Sequence, residues 1–200
     1  MARWEPDARG RLLQAAVALF SERGYEATTA AQIAERAGLT KTTLFRHFAD
    51  KREILFQGQD ALVALAVGGV EAAPPGSTPF EVLRGGVGAL CTLHPAELRA
   101  DQRGIDALLS SSPELTERAV FKRSTVTEAL RRALAARLAD DRLAAVLADL
   151  GVRAYYDGFA AWVASPVDGP LVDVVDRELE AYEAVLASGS VTAGAAAGRF

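Results

Sequence analysis

The chain of 200 residues is 50% hydrophobic and 24% charged, a composition typical of one or two globular domains, and no uncharged stretch reaches the roughly 20 residues of a membrane-spanning helix. Cys91 is its only cysteine, which excludes an internal disulfide and a cysteine-based zinc site and favours a cytoplasmic protein without a metal or other cofactor. The formal net charge of −4 is unevenly spread, because residues 1–52 carry nine Lys/Arg and six Asp/Glu, or +3, whereas residues 53–200 carry 13 and 20, or −7.

The predicted elements are all helices, because alanine and leucine recur at helical spacing and alternating β-branched runs are lacking. The first ten residues contain no apolar h-region, so we expect no secretory signal peptide. Thr29 and Thr40 stand at N-cap positions of two short helices, and Gln32 completes a capping box with Thr29. The first four predicted helices cover residues 7–23, 30–37, 41–48 and 51 to about 70.

Breaks that contain proline separate the helices of the second part of the chain. The predicted helices there cover residues 80–93, 97–109, 114–138, 141–164 and 171–187. Residues 188–200 are poor in bulky apolar groups, and we expect them to form a flexible tail. The sequence therefore predicts an all-α fold of about nine helices.

The third predicted helix is short and has two distinct faces. At about 100° per residue, Leu44 and Phe48 share one face, and Thr42 and Arg46 lie on the opposite face. A helix of about eight residues is not stable alone. We therefore expect Leu44 and Phe48 to pack on the first two helices and the polar face to point outward.

An outward polar helix of this kind suits the major groove of DNA, which admits one α-helix. Arg46 is suited to a guanine edge, and Thr42 and Thr43 to a thymine methyl group or a hydroxyl contact. The N-terminal amides of the second and fourth helices, beside Thr29 and Lys51, are suited to phosphate oxygens. Lys41 and His47 are expected to add backbone contacts.

Each of these residues also has a simpler interpretation when it is taken singly. Lys and Arg on a short helix are usually solvated charges, Thr29 and Thr40 are also ordinary caps, and His47 is also an ordinary surface histidine. Two short capped helices joined by a glycine turn favour DNA binding as a combination.

Residues 24–55, GYEATTAAQIAERAGLTKTTLFRHFADKREIL, closely resemble the DNA-binding segment of the TetR family of bacterial transcriptional regulators. The matching features are Thr28–Thr29, Ile33–Ala34, Ala37–Gly38–Leu39, Thr40–Lys41, Thr43–Leu44, His47–Phe48, Lys51 and Leu55. The resemblance implies a three-helix helix-turn-helix DNA-binding domain over residues 7–52 and a ligand-binding and dimerisation domain over residues 53–187, with residues 51–70 as the connecting helix.

The resemblance also implies a homodimer that reads a near-palindromic operator in double-stranded DNA and responds to a small-molecule effector. By position, the DNA-contacting set of the family maps to Thr29, Thr40, Lys41, Thr42, Thr43, Phe45, Arg46, His47 and Lys51. Thr42 stands where glycine is frequent in the family. Phe45 stands where tyrosine is frequent, which removes a hydroxyl that typically reaches a phosphate.

Two apolar stripes in the last two predicted helices are candidates for the dimer interface. The alternative, equally supported by the stripes themselves, is that they pack only within the monomer; the family resemblance favours the dimer. One stripe contains Leu143, Leu147, Leu150, Ala154 and Gly158, and the other contains Leu171, Val175, Leu179, Tyr182 and Leu186.

Aromatic residues of the body are candidates for the wall of a ligand pocket, since helical bundles bind ligands between their helices. The competing interpretation for each is ordinary core packing, and Cys91 with His94 makes no metal site without further ligands. The candidate pocket residues are Cys91, His94, Phe121, Tyr155, Phe159 and Trp162.

Three functions remain open from the sequence. The first is a ligand-responsive transcriptional regulator, expected to be a repressor. The second is an enzyme with a helical body, against which the chain has only two histidines and no recognisable phosphate loop or nucleophile motif. The third is a protein-interaction module whose helix-turn-helix no longer binds DNA.

Overall fold

The computed structural model describes residues 7–165 and 169–188, and every regular element within them is helical. The predicted all-α fold is confirmed. The helices are α1 (Ala8–Arg23), α2 (Ala30–Arg36), α3 (Lys41–His47), α4 (Gln59–Glu71), α5 (Pro79–Cys91), α6 (Arg99–Leu109), α7 (Pro113–Leu138), α8 (Asp141–Ala164) and α9 (Leu171–Ser188), with short 3₁₀ helices at Arg52–Ile54 and Ala96–Leu98.

Helices α1, α2 and α3, together with the 3₁₀ helix Arg52–Ile54, form a small unit that we call the head. Its centre is made by Leu12, Phe20, Ile33 and Leu44, each at most 2% exposed. These residues come from all three helices, so α2 and α3 are held by burial of their apolar side chains rather than by their own length.

The turn between α2 and α3 depends on Gly38, whose φ of 66° lies in the left-handed region that favours glycine. The Gly38 amide donates to the Glu35 carbonyl (2.9 Å), and the Leu39 amide donates to the Ala34 carbonyl (2.8 Å). This hydrogen-bond pair closes the end of α2. The Arg11 guanidinium also donates to the Ala37 carbonyl and ties α1 to the same turn.

The continuous helix predicted from residue 51 to about 70 is wrong, because the chain is interrupted before α4. The Asp50 carboxylate accepts the amides of Arg52 (2.9 Å) and Glu53 (3.0 Å) and starts only the 3₁₀ helix Arg52–Ile54. Gly58 then adopts φ 94°, which a continuing right-handed helix does not allow, and α4 begins at Gln59. The head is therefore joined to α4 by a bent connection.

Helices α4 to α9 form the body, in which α8 packs against α5, α6, α7 and α9. Its core contains Leu83, Leu130, Leu147 and Trp162, all 1% exposed or less. The Trp162 indole donates to the Gly169 carbonyl (2.8 Å), which fixes the connection that leads into α9.

The head and the body are not separated by an exposed linker. Leu108 of α6 and Leu115 of α7 are buried in the same cluster as Leu12, Ile33 and Ile54. Residues on both sides of the predicted boundary after residue 52 thus share one core. Among the described helices, none is long and apolar enough to cross a membrane. The predicted flexible tail lies outside the described residues beyond Ser188.

Candidate nucleic-acid interface and junction cavity

Helix α3 is oriented by two buried apolar side chains. Leu44 is completely buried and Phe48 is 5% exposed. On the other side, Thr42 and Arg46 are exposed, as is Lys41. The structure thus brings the polar residues of the short helix to one outer surface of the head.

The two threonines at the start of α3 are held by each other. The Thr40 hydroxyl accepts the Thr43 amide (3.1 Å), and the two hydroxyl oxygens lie 3.0 Å apart. Thr40 is therefore an N-cap, as predicted, and Thr43 is half-buried beside it. Of the two α3 threonines proposed for base contact, only Thr42 is fully exposed.

Phe45 is the large apolar side chain of the outer surface of α3, with 46% of its area exposed. The Lys41 ammonium lies 5.7 Å from the centre of its ring, within the range of a cation–π interaction. His47 is half-buried, and its Nε2 has no hydrogen-bond partner among the described residues. Lys41, Phe45 and His47 therefore lie beside the exposed Thr42 and Arg46.

Thr29 stands exposed at the start of α2 and forms the predicted capping box. Its hydroxyl accepts the Gln32 amide (3.3 Å), and the Gln32 side-chain oxygen accepts the Thr29 amide (2.9 Å). The Thr29 side chain is therefore already used as a cap, and a phosphate contact there has to come from its exposed edge or from neighbouring amides.

Lys51 has internal partners that the sequence did not reveal. Its ammonium donates to the carbonyls of Tyr25 (2.7 Å) and Thr28 (2.9 Å) and lies 4.0 Å from the centre of the Tyr25 ring. These contacts hold the loop between α1 and α2. The predicted amide site at the start of the fourth helix is also occupied, because Asp50 accepts those amides.

A second feature lies where the head meets the body. A cavity of about 470 Å³, here called the junction cavity, opens between α1, the bent connection and four helices of the body. Ligand sites typically have volumes of about 300–1,000 Å³. Its apolar lining includes Leu55, Phe56, Leu62, Ile105 and Phe159.

The polar lining of the junction cavity combines hydrogen-bonding groups with cations. His94 Nε2 and the Tyr155 hydroxyl share a hydrogen bond of 2.7 Å. Burial lowers the pKa of His94, against the opposing effect of Gln102, and burial raises the pKa of Tyr155 well above its usual value. Both groups are therefore uncharged near neutral pH. The charged lining residues are Asp106, Lys122 and Arg123.

The structure divides the six candidate pocket residues into three groups. His94, Tyr155 and Phe159 line the junction cavity. Cys91 and Trp162 belong to the body core, where burial raises the pKa of the Cys91 thiol to about 12. Phe121 is 57% exposed and does not line the cavity.

Sequence reasoning missed the contributions of the bent connection and of α7 to the cavity wall. Phe56, Lys122 and Arg123 carry no local pattern that separates them from ordinary surface or core residues. Tyr156, an aromatic residue beside the candidate Tyr155, also fits the aromatic pattern that marked the candidates, and it lines the same cavity.

The two stripes predicted as the dimer interface are mostly buried within one protomer, so that this interpretation needs correction. Gly158 faces α9 so closely that an added Cβ would lie 2.8 Å from a Val175 methyl carbon. Such residues have no surface left for a partner. The buried members are Leu147, Ala154, Gly158, Leu171, Val175 and Leu179.

The remaining members of the two stripes lie on a more accessible face of α8 and α9. Leu143 and Leu186 are 36% and 56% exposed, and the neighbouring Val146 is 53% exposed. Leu150 and Tyr182 are half-buried. Arg153 interacts with Tyr182 as well as with Asp157, which places this part of α9 beside the middle of α8.

The head and the body are also joined by an ion cluster around Glu53, here called the Glu53 cluster. One Glu53 oxygen accepts from Arg118 Nε (2.5 Å), and the other lies 3.2 Å from Lys122 Nζ. Burial alone would raise the pKa of Glu53, but the hydrogen bonds from Arg118 and Lys122 outweigh it, and the pKa lies below its usual value. Glu53 is thus ionised and holds α7 to the segment that follows α3.

Glu114 adds a parallel contact one turn earlier on α7. The Tyr25 hydroxyl donates to its carboxylate (2.9 Å), and Arg52 lies 3.5 Å from the same group. Glu53 is directed to the same helix, where it contacts Arg118 and Lys122. The first turns of α7 therefore form the polar contact surface for the head.

Comparison with known proteins identifies the head. Residues 12–57 match the sequence family described as bacterial regulatory proteins, tetR family. TcmR, a transcriptional regulator of Streptomyces glaucescens, is 36% identical over 77 residues, which are 38% of this chain and 34% of TcmR. The transcriptional repressor KstR2 of Mycobacterium tuberculosis is 49% identical over 47 residues, 24% of each chain. The chain thus spans about a third of the length of TcmR and about a quarter of that of KstR2.

The complete fold is shared with solved structures at low sequence identity. A putative transcriptional regulator from Pseudomonas aeruginosa PAO1 superposes with a TM-score of 0.63 and 19% identity, over 94% of each chain. At this identity the likeness concerns the fold alone. The relatives that match the head are named as regulators of transcription and not as enzymes.

Proposed function

We propose that this chain, whose residues 12–57 match the tetR family of bacterial regulatory proteins through the helix-turn-helix of the head, is a member of that family and a transcriptional regulator that binds operator DNA. The observation that carries the proposal is the orientation of α3, in which buried Leu44 and Phe48 leave Thr42 and Arg46 exposed. In this proposal α3 enters the major groove.

The contacts with DNA divide into base readers and backbone contacts. Arg46 reads a guanine edge, and Thr42 and Phe45 contact neighbouring bases through a hydroxyl and an apolar surface. Lys41 reaches a phosphate. Backbone contacts around this centre come from Thr29, Thr40, Thr43 and His47. Lys51 acts on DNA indirectly in this proposal, by holding the loop between α1 and α2.

The regulator acts as a homodimer, with one head in each half of a near-palindromic operator. The interface uses the accessible face of α8 and α9 that contains Leu143, Val146, Leu150 and Leu186. Leu143, Val146 and Leu150 follow one face of α8 at helical spacing, and an accessible apolar face is typical of an interaction site. The second subunit fixes the spacing of the two heads.

The junction cavity is the proposed effector site. It is lined by the bent connection at Leu55–Gly58 and by α4, α6, α7 and α8 of the body. A small molecule that binds better to one arrangement of head and body shifts the population toward that arrangement. In this proposal the favoured arrangement separates the heads, so the effector releases a repressor from its operator.

Selection of bound sequences from random DNA tests the proposal directly. We expect an enriched motif with two inverted half-sites whose centres lie about one or more helical turns apart. A motif with a single half-site would contradict the dimer. If no sequence is enriched and the DNA upstream of the protein's own coding region is not retarded at low salt, the chain is a protein-interaction module instead.

A further inference from the structure

One cation of the Glu53 cluster also belongs to the wall of the junction cavity. Lys122 lines the cavity, and its ammonium lies 3.2 Å from a Glu53 oxygen. The Lys122 side chain is 16% exposed and the Glu53 side chain 18%. An ion pair with this little exposure is only weakly screened by solvent. Lys122 is therefore accessible to a ligand in the cavity and also binds Glu53, in the segment that follows α3.

The charges of the cavity favour an acidic ligand. Among the described lining residues, Lys122 and Arg123 are cationic and Asp106 is the sole carboxylate. Arg123 lies 4.1 Å from the centre of the Tyr156 ring and has no carboxylate partner among the described residues. Because Glu53 neutralises Lys122 from the side of the head, removal of Glu53 would leave two adjacent cations at the cavity wall.

The remaining wall is apolar and aromatic. Leu55, Phe56, Leu62, Ile105 and Phe159 surround the space between the cations and the His94–Tyr155 pair. An apolar molecule gains from burial against this wall. An uncharged acceptor or hydroxyl on the same molecule matches the His94–Tyr155 pair.

We propose that the effector is an apolar molecule that carries one acidic group, and that this group competes with Glu53 for Lys122. Binding transfers Lys122 from the head to the ligand, and Glu53 keeps only Arg118. The head is then less firmly held by α7, and the bent connection at Gly58 lets it move. This inference rests on the proposed function and names both its ligand class and the residue pair that couples the two sites.

A short path through the protein couples ligand binding in the junction cavity to the position of α3. Glu53 lies in the 3₁₀ helix Arg52–Ile54, and Ile54 is completely buried in the same core as Leu44. A shift of Glu53 away from α7 is therefore transmitted to α3 through packed side chains. No movement of the body core is needed for this step.

Two acid and amide pairs test the ligand class: decanoate with decanamide, and 2-naphthoate with 2-naphthamide. Calorimetry with the full chain is expected to show at least about tenfold tighter binding of one acid than of its amide. The preference is expected to vanish in Lys122→Met. In Glu53→Gln the acid is expected to bind more tightly than in the wild type, because its competitor is gone.

Measurement of operator affinity provides a second test of the Glu53–Lys122 pair, and this test needs no ligand. Glu53→Gln and Lys122→Met each break the pair, so both are expected to weaken operator binding by about 5- to 150-fold, the usual range of allosteric coupling. The acid probe is expected to weaken operator binding by the wild type in the same range and to leave operator binding by Glu53→Gln unchanged. Arg132→Gln is the matched control, because Arg132 forms an exposed pair with Glu128 on the same helix.

Two results would overturn the proposal. One is that neither acid binds the wild type better than its amide. The other is that Glu53→Gln and Lys122→Met, folded by circular dichroism, both retain wild-type operator affinity. Failure of the wild type to bind any selected DNA is a separate outcome that rejects the proposed function, and it leaves the calorimetric comparison of acids and amides readable.

Discussion

Arg46 and Lys51 are both cations of the head, but their surroundings differ. Arg46 is exposed on the outer surface of α3. Lys51 donates to two carbonyls and lies over the Tyr25 ring. A cation that is satisfied inside the protein contributes to stability, whereas an exposed one is available to a base edge or a phosphate.

Arg46→Ala is expected to weaken operator binding by about 1–3 kcal/mol and to relax the base preference at one position of each half-site. The reason is loss of a two-point contact with a guanine edge. Fluorescence anisotropy with the selected operator and its single-base variants measures both effects. Arg36→Ala is the control, because the Arg36 guanidinium is held by Glu22. An equal loss on random DNA would assign Arg46 to a phosphate.

Lys51→Met is expected to lower the free energy of unfolding by about 1–3 kcal/mol, since it leaves two carbonyls without a charged donor. The salt dependence of DNA binding is expected to keep its slope. Lys41→Met, the control at an exposed position, is expected to flatten that slope by about one and to leave stability unchanged. Urea unfolding and salt titrations separate the two. If Lys51→Met flattens the salt dependence of DNA binding, Lys51 contacts a phosphate directly.

At the scale of elements, the connection between α3 and α4 decides how the head is attached. Asp50 starts only a 3₁₀ helix, and Gly58 places a left-handed residue immediately before α4. The Gln59 side chain then donates to the Lys122 carbonyl (3.0 Å), which fixes the start of α4 on α7. The bend is thus determined by the backbone conformation at one glycine and by polar contacts on both sides.

Gly58→Ala is expected to destabilise the protein by about 1–2 kcal/mol, because φ 94° is unfavourable for a residue with a Cβ. The added Cβ would meet nothing within 4 Å, so the cost is conformational. Gly68→Ala provides the matched control within α4, where the added Cβ also meets nothing and alanine is expected to stabilise by about 0.5–1 kcal/mol. Thermal or urea unfolding measures both effects. If Gly58→Ala also stabilised the protein, residue 58 would be in a right-handed helical conformation, and the connection would be a straight helix.

At the scale of the whole molecule, the apolar residues of α8 and α9 serve two different surfaces. Leu147, Val175 and Leu179 build the core of the body. Leu143, Val146 and Leu186 remain exposed on the other side of the same helices. A proposed partner subunit therefore contacts the exposed members of the predicted stripes, Leu143 and Leu186, together with the neighbouring Val146, and not the buried members.

Val146→Glu combined with Leu186→Glu is expected to convert the dimer to a monomer at micromolar concentration, because two charges would enter an apolar contact. Sedimentation velocity measures the change. Leu98→Glu is the control, since Leu98 is 45% exposed on a different part of the body. If the double variant remains dimeric, the dimer interface lies elsewhere on the protein. If the wild type is a monomer, the proposed dimer is wrong.

Local spacing of residues predicts the helical fold, the caps of α2 and α3, and the outward direction of Thr42 and Arg46. These features depend on residues within a few positions of each other, so local spacing is sufficient to predict them. The same holds for the match to the family of bacterial regulatory proteins, which depends on one contiguous segment of the head.

Packing of the folded chain sets the partners of Lys51 and Glu53, the lining of the junction cavity and the accessible face of α8 and α9. Glu53 is 65 residues from Arg118 in the chain, and Lys51 is 26 residues from Tyr25. A stripe of leucines also has the same periodicity whether a neighbouring helix or a second subunit covers it. Contacts between distant residues are fixed by the packing of whole helices, and that packing leaves no signal in local spacing.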